Sequence, residues 1–262
     1  VTALVSKNVG LELVSKEATV NVNLPANVVS GAAKIEFLVN AEQTKLTSSV
    51  PAGYTPAGKV ISVDITVTDE AGHTTKISNM AKHVHVQLPT ELAQSEALKL
   101  NAYKIAEDGS LIPVRSVTRN GMKQFVVSDL NAKYTLMAYN KTFADIEDHW
   151  SKNTVQFLAS KHIVDGATDL TYNPDANVTR AEFTMMLVNS IADKQKASTS
   201  QFNDVTTTSW YSDAVITALQ EGLVEGIADD EFAPDRNMTR EEMAVILTRA
   251  LKLLTPDADL SS

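Results

Sequence analysis

The 262-residue chain contains no cysteine, which excludes disulfides, thiol catalysis and thiolate metal ligation and fits an exported bacterial protein. No apolar run approaches the roughly 20 residues that cross a bilayer as a helix, so no membrane span is expected. No basic-then-apolar leader opens the chain, which starts at Val1 and reads as an internal piece of a longer protein. Positive charge is scarce: 23 Lys and Arg stand against 32 Asp and Glu, a net charge of −9. The basic residues are scattered, so no nucleic acid partner is expected. Catalytic signatures are missing as well, with no G-x-S-x-G, phosphate-binding glycine loop or H-E-x-x-H. The many carboxylates lack an apolar setting that would raise a pKa. His83 and His85, at i and i+2 on one strand face, have no third ligand, and Asp229-Asp230-Glu231 lacks the D-x-D-x-D-G order of a calcium loop. Neither a metal nor a cofactor is expected, and the chain itself is read as non-catalytic.

What is present divides into two kinds of pattern. As far as Tyr139 the period is two: Val20, Val22 and Leu24; Ile35, Phe37 and Val39; Ile61, Val63, Ile65 and Val67; Val84, Val86 and Leu88. Each set predicts a half-buried strand. Asp69-Glu70-Ala71-Gly72, Asp108-Gly109 and Asn120-Gly121 supply turns, the last two as two-residue hairpin signals. Strands near 97–106, 111–118, 122–128 and 133–139 are predicted to form an antiparallel meander. Ser48 to Gly58, with Pro51, Gly53, Pro56 and Gly58, reads as a long loop, and Thr90 to Glu96 as a short helical stretch. Residues 1–141 are therefore expected to be an N-terminal antiparallel β-sandwich, with a barrel as the other architecture such strands build.

Beyond Asn140–Phe143 the period becomes helical. Trp150, Val155, Leu158 and Ile163 fit one face, and Phe183, Met186, Leu187 and Ile191 another; both faces recur as Tyr211, Val215, Leu219 and Leu223, then Met243, Ile246, Leu247 and Leu251. The chain repeats itself. Phe143 and Asp145 precede Phe202 and Asp204 by 59 positions, and from Trp150 and Trp210 onward the offset is 60, aligning Gly166 with Gly226, Pro174 with Pro234 and Asn177 with Asn237. Repeats of this period bury their apolar faces on one another. Residues 142–193 and 201–254 are read as the two copies, with Lys194 to Gln201 between them.

Each copy holds an S/T-x-x-E capping box, Thr179 with Glu182 and Thr239 with Glu242, and so opens a helix there. Arg180 and Arg240 fall at the first helical position, beside N–H groups that favour an anion, an arrangement that suits a carboxylate or phosphate. The ordinary alternative is a solvated arginine paired with a nearby acid.

These residues resemble the surface-layer homology (SLH) domain of bacterial envelope proteins. The resemblance rests on Phe143-Ala144-Asp145-Ile146, His149-Trp150, Val164-Asp165-Gly166, Tyr172-Asn173-Pro174 and Val178-Thr179-Arg180-Ala181-Glu182. In the second copy it rests on Phe202-Asn203-Asp204-Val205, Trp210, Val224-Glu225-Gly226, Phe232-Ala233-Pro234 and Met238-Thr239-Arg240-Glu241-Glu242. It implies helix-loop-helix repeats in a pseudo-threefold bundle that anchor an extracellular protein at the bacterial cell wall or S-layer surface. The implied partner is secondary cell-wall polysaccharide carrying a pyruvylated amino sugar. By the same resemblance Arg180 and Arg240 meet the acidic sugar, and Asp145, Asp204, Trp150, Trp210, Gly166 and Gly226 line the grooves.

The residues also have simpler uses. Thr179, Glu182, Thr239 and Glu242 are caps. Trp150 and Trp210 are expected to be both core and groove wall, without full exposure. Gly166 and Gly226 are expected to end the first helix of each copy in the left-handed conformation, and Asp145 and Asp204 either fix the turn before that helix or touch ligand. The family commonly has three repeats, so self-association through a missing third repeat is a further expectation. Two other roles fit the same residues: the anchoring fragment of an extracellular glycoside hydrolase whose catalytic domain lies upstream, and self-assembly into a surface lattice.

Overall fold

A computed structural model describes residues 9–42, 50–90, 99–192, 194 and 199–257, with backbone alone at 79–83 and 128. The chain divides into two compact units, 1–141 and 142–262. The side chain of His83, most of Thr90–Glu96 and the centre of the 194–201 segment lie outside the described residues.

The first unit is antiparallel throughout. Its strands are β1 (Val9–Val14), β2 (Thr19–Leu24), β3 (Ala32–Glu42), β4 (Tyr54–Pro56), β5 (Val60–Asp69), β6 (Thr74–Ile77), β7 (Asn79–Pro89), β8 (Leu100–Ile105), β9 (Leu111–Val114), β10 (Ser116–Arg119), β11 (Met122–Asp129) and β12 (Lys133–Tyr139), with one helical turn, α1 (Ala26–Val29), between β2 and β3. One sheet runs β1-β2-β7-β11-β10 and the other β3-β5-β12-β8-β9, with β4 on β12 and β6 on β5. The period-two residues explain the packing: Val20, Val22, Val84 and Val86 of the first sheet share a buried cluster with Ile61, Val63, Ile65 and Leu136 of the second.

Three local readings are corrected. The last strands form no meander. Residues 111–118 split at Arg115 into β9, which pairs with β8, and β10, which pairs with β11 in the other sheet, while β12 returns to β8. Strand pairing depends on which apolar face finds the shared core, and adjacency in sequence does not decide it. The loop expected at 48–58 contains β4, held on β12 because the Tyr54 ring packs 5.5 Å from Tyr103 and 4.5 Å from Tyr139 between centroids. Finally, Asp108-Gly109 belongs to a longer loop. Ala106 N–H bonds Ser110 O, and Gly109 (φ 83°) takes the left-handed position of a three-residue hairpin loop.

Asn120-Gly121 does form the two-residue turn, with Arg119 opposite Met122 and φ of 51° and 72°. We predict that Gly121→Val lowers the stability of the chain by about 1–3 kcal/mol, the cost of a β-branched residue at positive φ, measured by urea unfolding.

Among its described residues the second unit contains a short 3₁₀ turn at Ala144–Ile146 and four helices: α2 (Lys152–Ser160), α3 (Arg180–Ile191), α4 (Ser212–Gln220) and α5 (Arg240–Leu254). Among the described residues no helix is long and apolar enough to cross a membrane. Phe143, Ile146, Val155, Ala159 and Val164 make a small core in the first repeat. A larger one in the second gathers Phe202, Val215, Ala218, Leu223 and Phe232, and includes Leu187 and Val188 from α3. The last helix of the first repeat thus buries its stripe in the second repeat.

Candidate functional site

Both capping boxes are formed. Glu182 N–H donates to Thr179 Oγ1 (3.2 Å) while the Glu182 carboxylate accepts from Thr179 N–H (2.8 Å); Thr239 and Glu242 repeat this at 3.2 and 2.9 Å. A cap satisfies only part of a helix start, since the first turn leaves several N–H groups without intrahelical acceptors. In α3 the others are filled from the second repeat: Arg180 N–H donates to Arg236 O (2.8 Å) and Ala181 N–H to Pro234 O (2.9 Å), and Met238 N–H returns a bond to Val178 O (3.0 Å). This corrects the expectation of an anion seat at the α3 N-terminus, because its donors are already spent on protein carbonyls.

Arg180 is 6% exposed. Its guanidinium carbon lies 4.8 Å from the centroid of the Phe232 ring, and Nη2 donates to the Glu225 carbonyl at 2.5 Å. The aromatic face and the carbonyl both favour the cation. Nε is buried without a hydrogen-bond partner, and burial lowers the pKa of the group from its ordinary value. Arg240, by contrast, is exposed. Phe232, Glu225 and the Pro234–Arg236 carbonyls were not foreseen as parts of this site; the alignment of Phe232 with Tyr172 was the available signal.

The aspartates hold loops. Asp145 accepts Tyr172 N–H (2.9 and 3.0 Å) and Asn173 N–H (2.7 Å); Asp204 accepts Phe232 N–H (2.9 and 3.2 Å) and Ala233 N–H (2.6 Å). Asn173 and Ala233 both have φ of 60°, so each carboxylate fixes a loop in a conformation that a non-glycine residue rarely adopts. The Tyr172 and Asn173 amides hold the Asp145 carboxyl below its usual range.

The glycine expectation is corrected. The left-handed residues after the first helices are His162 (φ 56°) and Gly222 (φ 68°). Gly166 and Gly226 are required for close approach: a Cβ at Gly166 would overlap Thr168 O, Thr171 O and the Phe143 ring, and one at Gly226 would overlap Ala228 O, Glu231 O and the Phe202 ring. The tryptophans are corrected too. Trp150 is 89% and Trp210 61% exposed, because each precedes its helix, whose buried residues begin only at Val155 in α2 and at Ser212 in α4. Their rings stand beside His149 (5.4 Å) and Tyr211 (5.1 Å), leaving indole surface open to solvent. The structure brings Arg180 together with the loop pinned by Asp204, through Phe232 and the Pro234 and Arg236 carbonyls, while the indoles are exposed beside His149 and Tyr211.

The model of the S-layer homology domain matches residues 142–184 and 201–244. Both segments are S-layer homology repeats. The chain is 35% identical over 197 residues to an amylopullulanase of Thermoanaerobacterium thermosulfurigenes, covering 74% of this chain and 10% of that protein. It is 43% identical over 114 residues to exoglucanase XynX of Acetivibrio thermocellus, covering 44% of this chain and 10% of the relative. With the surface-layer 125 kDa protein of Lysinibacillus sphaericus it shares 32% identity over 112 residues, 43% of this chain and 9% of the other. The chain spans about a tenth of the length of these relatives.

Two outcomes follow from this geometry. Gly166→Ala, which must displace two backbone carbonyls and the Phe143 ring, should cost about 1–3 kcal/mol as overpacking, read from denaturant unfolding. The second concerns acid. Thr239 N–H, then Arg236, hold the Glu242 carboxyl down to about 2 from 4.5. Its folded pKa is depressed, so its stabilisation is complete above 4.5 and fades as pH falls toward 2. The thermal midpoint of the chain should exceed that of Glu242→Gln at neutral pH, with the gap closing through that window.

Proposed function

We propose that the two repeats tether an exported protein non-covalently to the bacterial cell wall by binding pyruvylated secondary cell-wall polysaccharide. The observation that carries this reading is the tandem S-layer homology match at 142–184 and 201–244. Relatives named for different activities, an amylopullulanase, an exoglucanase and a surface-layer protein, share a stretch that is a small fraction of each. A stretch common to proteins of unlike activity suits attachment rather than catalysis, and another relative is named a cellulosome-anchoring protein. The chain is thereby placed outside the cell, at the wall or S-layer surface.

In this proposal Arg180 and Arg240 meet the acidic sugar. Arg240 is exposed and can form charge-assisted bonds to a pyruvyl carboxylate, while Arg180, buried between the repeats, contributes its positive charge from beneath the surface. Trp150 and Trp210 offer indole faces to the C–H face of a sugar. Asp145, Asp204, Gly166 and Gly226 act by shaping the loops beside them. The two-sheet unit, sharing one core, serves as a β-sandwich spacer, and the repeats belong to a pseudo-threefold helical bundle. A parent protein with a glycoside hydrolase domain elsewhere is the second reading, favoured by the names of the amylopullulanase and exoglucanase.

The test is retention of the chain on purified wall polysaccharide before and after chemical removal of pyruvyl groups. Binding should be lost on removal, and Arg240→Ala, an exposed position, should weaken binding to intact polymer by at least about tenfold, equivalent to 1.4 kcal/mol. Equal retention on both polymers would overturn the acidic-sugar reading.

A further inference from the structure

The two outward faces of the strand unit are chemically unlike. In the second sheet Lys34, Glu36 and Asp64 alternate with core residues, and the face carries the ion pairs Lys34–Glu36 and Lys76–Asp64. The first sheet buries Val20, Val22, Val84, Val86 and Phe125, so the alternate residues of the same strands point the other way. The register sets them in rows. Glu12, Asn21 and His85 lie side by side on β1, β2 and β7, and Gln87 lies beside Gln124 on β7 and β11. Gln124 Nε2 donates to Gln87 Oε1 at 3.3 Å. Where the second sheet carries ion pairs, this one carries amides.

Glu12, Asn21, Asn23 and His85 line, with Gly10, an open depression of about 440 Å³. Among the described residues none of these four side chains takes part in a hydrogen bond or ion pair. Gly10 is the residue that points to a ligand. It sits in β1 directly opposite Asn23, in a strand, where glycine forfeits stability relative to a residue with a side chain. The backbone does not require it, because its φ lies outside the left-handed region. Crowding does not require it either, since a Cβ placed there meets no atom within 4 Å. What the missing side chain does is keep the depression open, and a glycine inside a strand often marks the close approach of a ligand.

We propose that this depression binds a short stretch of neutral polysaccharide through Glu12, Asn21, Asn23 and His85. A primary amide offers donors and an acceptor, and a carboxylate offers acceptors. A sugar hydroxyl is both donor and acceptor, so neighbouring hydroxyls find matched partners here. Among the described residues no Lys or Arg lines the depression, and the Glu12 carboxylate repels anions. The ligand is therefore neutral, which separates it from the acidic sugar assigned above to the helical repeats. No Phe, Tyr or Trp lines it among the described residues, and hydrogen bonds made in the open exchange with bonds to water. The affinity for a single stretch is accordingly millimolar.

An NMR titration of the nitrogen-15-labelled full chain with maltohexaose, cellohexaose and xylohexaose tests this. At least one of the three should shift the side-chain amide signals of Asn21 and Asn23, saturating at millimolar concentration, and that one identifies the linkage recognised. Gly10→Leu fills the depression from a position with open space around its Cβ; it should keep the urea midpoint of the parent chain and abolish the shifts. Asn21→Ala should weaken binding by about tenfold. Hexagalacturonic acid, which adds carboxylates to similar rings, should bind at least about tenfold more weakly. No shift with any of the three neutral sugars, shifts that survive Gly10→Leu, or equal binding of the acidic hexamer would each overturn the proposal. None of these probes carries a pyruvyl group, so retention on depyruvylated wall polymer bears on the repeats alone.

Discussion

The helical unit depends on a helix start that cannot complete itself. A helix leaves unsatisfied N–H groups in its first turn, and the Thr179–Glu182 box of α3 meets only part of that demand. The remaining donors go to Arg236 and Pro234 carbonyls of the next repeat. Once that exchange is made, Arg180 lies against Phe232, and Leu187 and Val188 enter the second core. The backbone bonds set the register and apolar burial supplies most of the stabilisation, since a net hydrogen bond contributes about 1 kcal/mol and a fully buried leucine about 2–3. Remove the neighbouring repeat and α3 would lose both.

The loops that offer those carbonyls are themselves rigid for a chemical reason. A carboxylate accepting successive amide N–H groups, as Asp204 does from Phe232 and Ala233, holds the chain through a left-handed residue that alanine would ordinarily avoid. Glycine at 226 lets the Ala228 and Glu231 carbonyls and the Phe202 ring close over the same segment. In the second repeat Asp204, Gly226 and Phe202 therefore form one device that presents Pro234 and Arg236 to the preceding helix. Their recurrence, 59 positions apart for Asp and Phe and 60 for Gly, goes with that shared geometry, whatever each contributes to a ligand.

Local chemistry was legible in the sequence where its partners lie within a few residues. The capping boxes are spelled by positions three apart, and the strands of the first unit by alternation, so both appear in the structure. Long-range choices were not. The split of 111–118 between two sheets depends on which face meets the common core, and β4 depends on tyrosines far along the chain. Gly166 looks in sequence like a helix terminator because glycine commonly is one; its reason is three atoms brought close by the fold. Trp150 fitted a helical stripe numerically, yet its residue precedes the helix and its side chain points to water.

Arg180 and Arg240 show most clearly what a motif leaves undecided. The same four-residue spacing caps both helices, and the same residue type follows each cap. One guanidinium is desolvated against a ring and a carbonyl; the other stands in solvent. The same cap and the same arginine therefore stand in two electrostatic environments, and the difference is whether a neighbouring repeat lies over the helix start. Among the described residues the Arg240 side chain is exposed, whereas an anion reaching Arg180 must compete with the Glu225 carbonyl and the Phe232 ring. A charged group already desolvated by its own protein forfeits less hydration on meeting a further partner than one that stands in water. The packing over the helix start, more than the motif within each repeat, sets which of those two environments an arginine has.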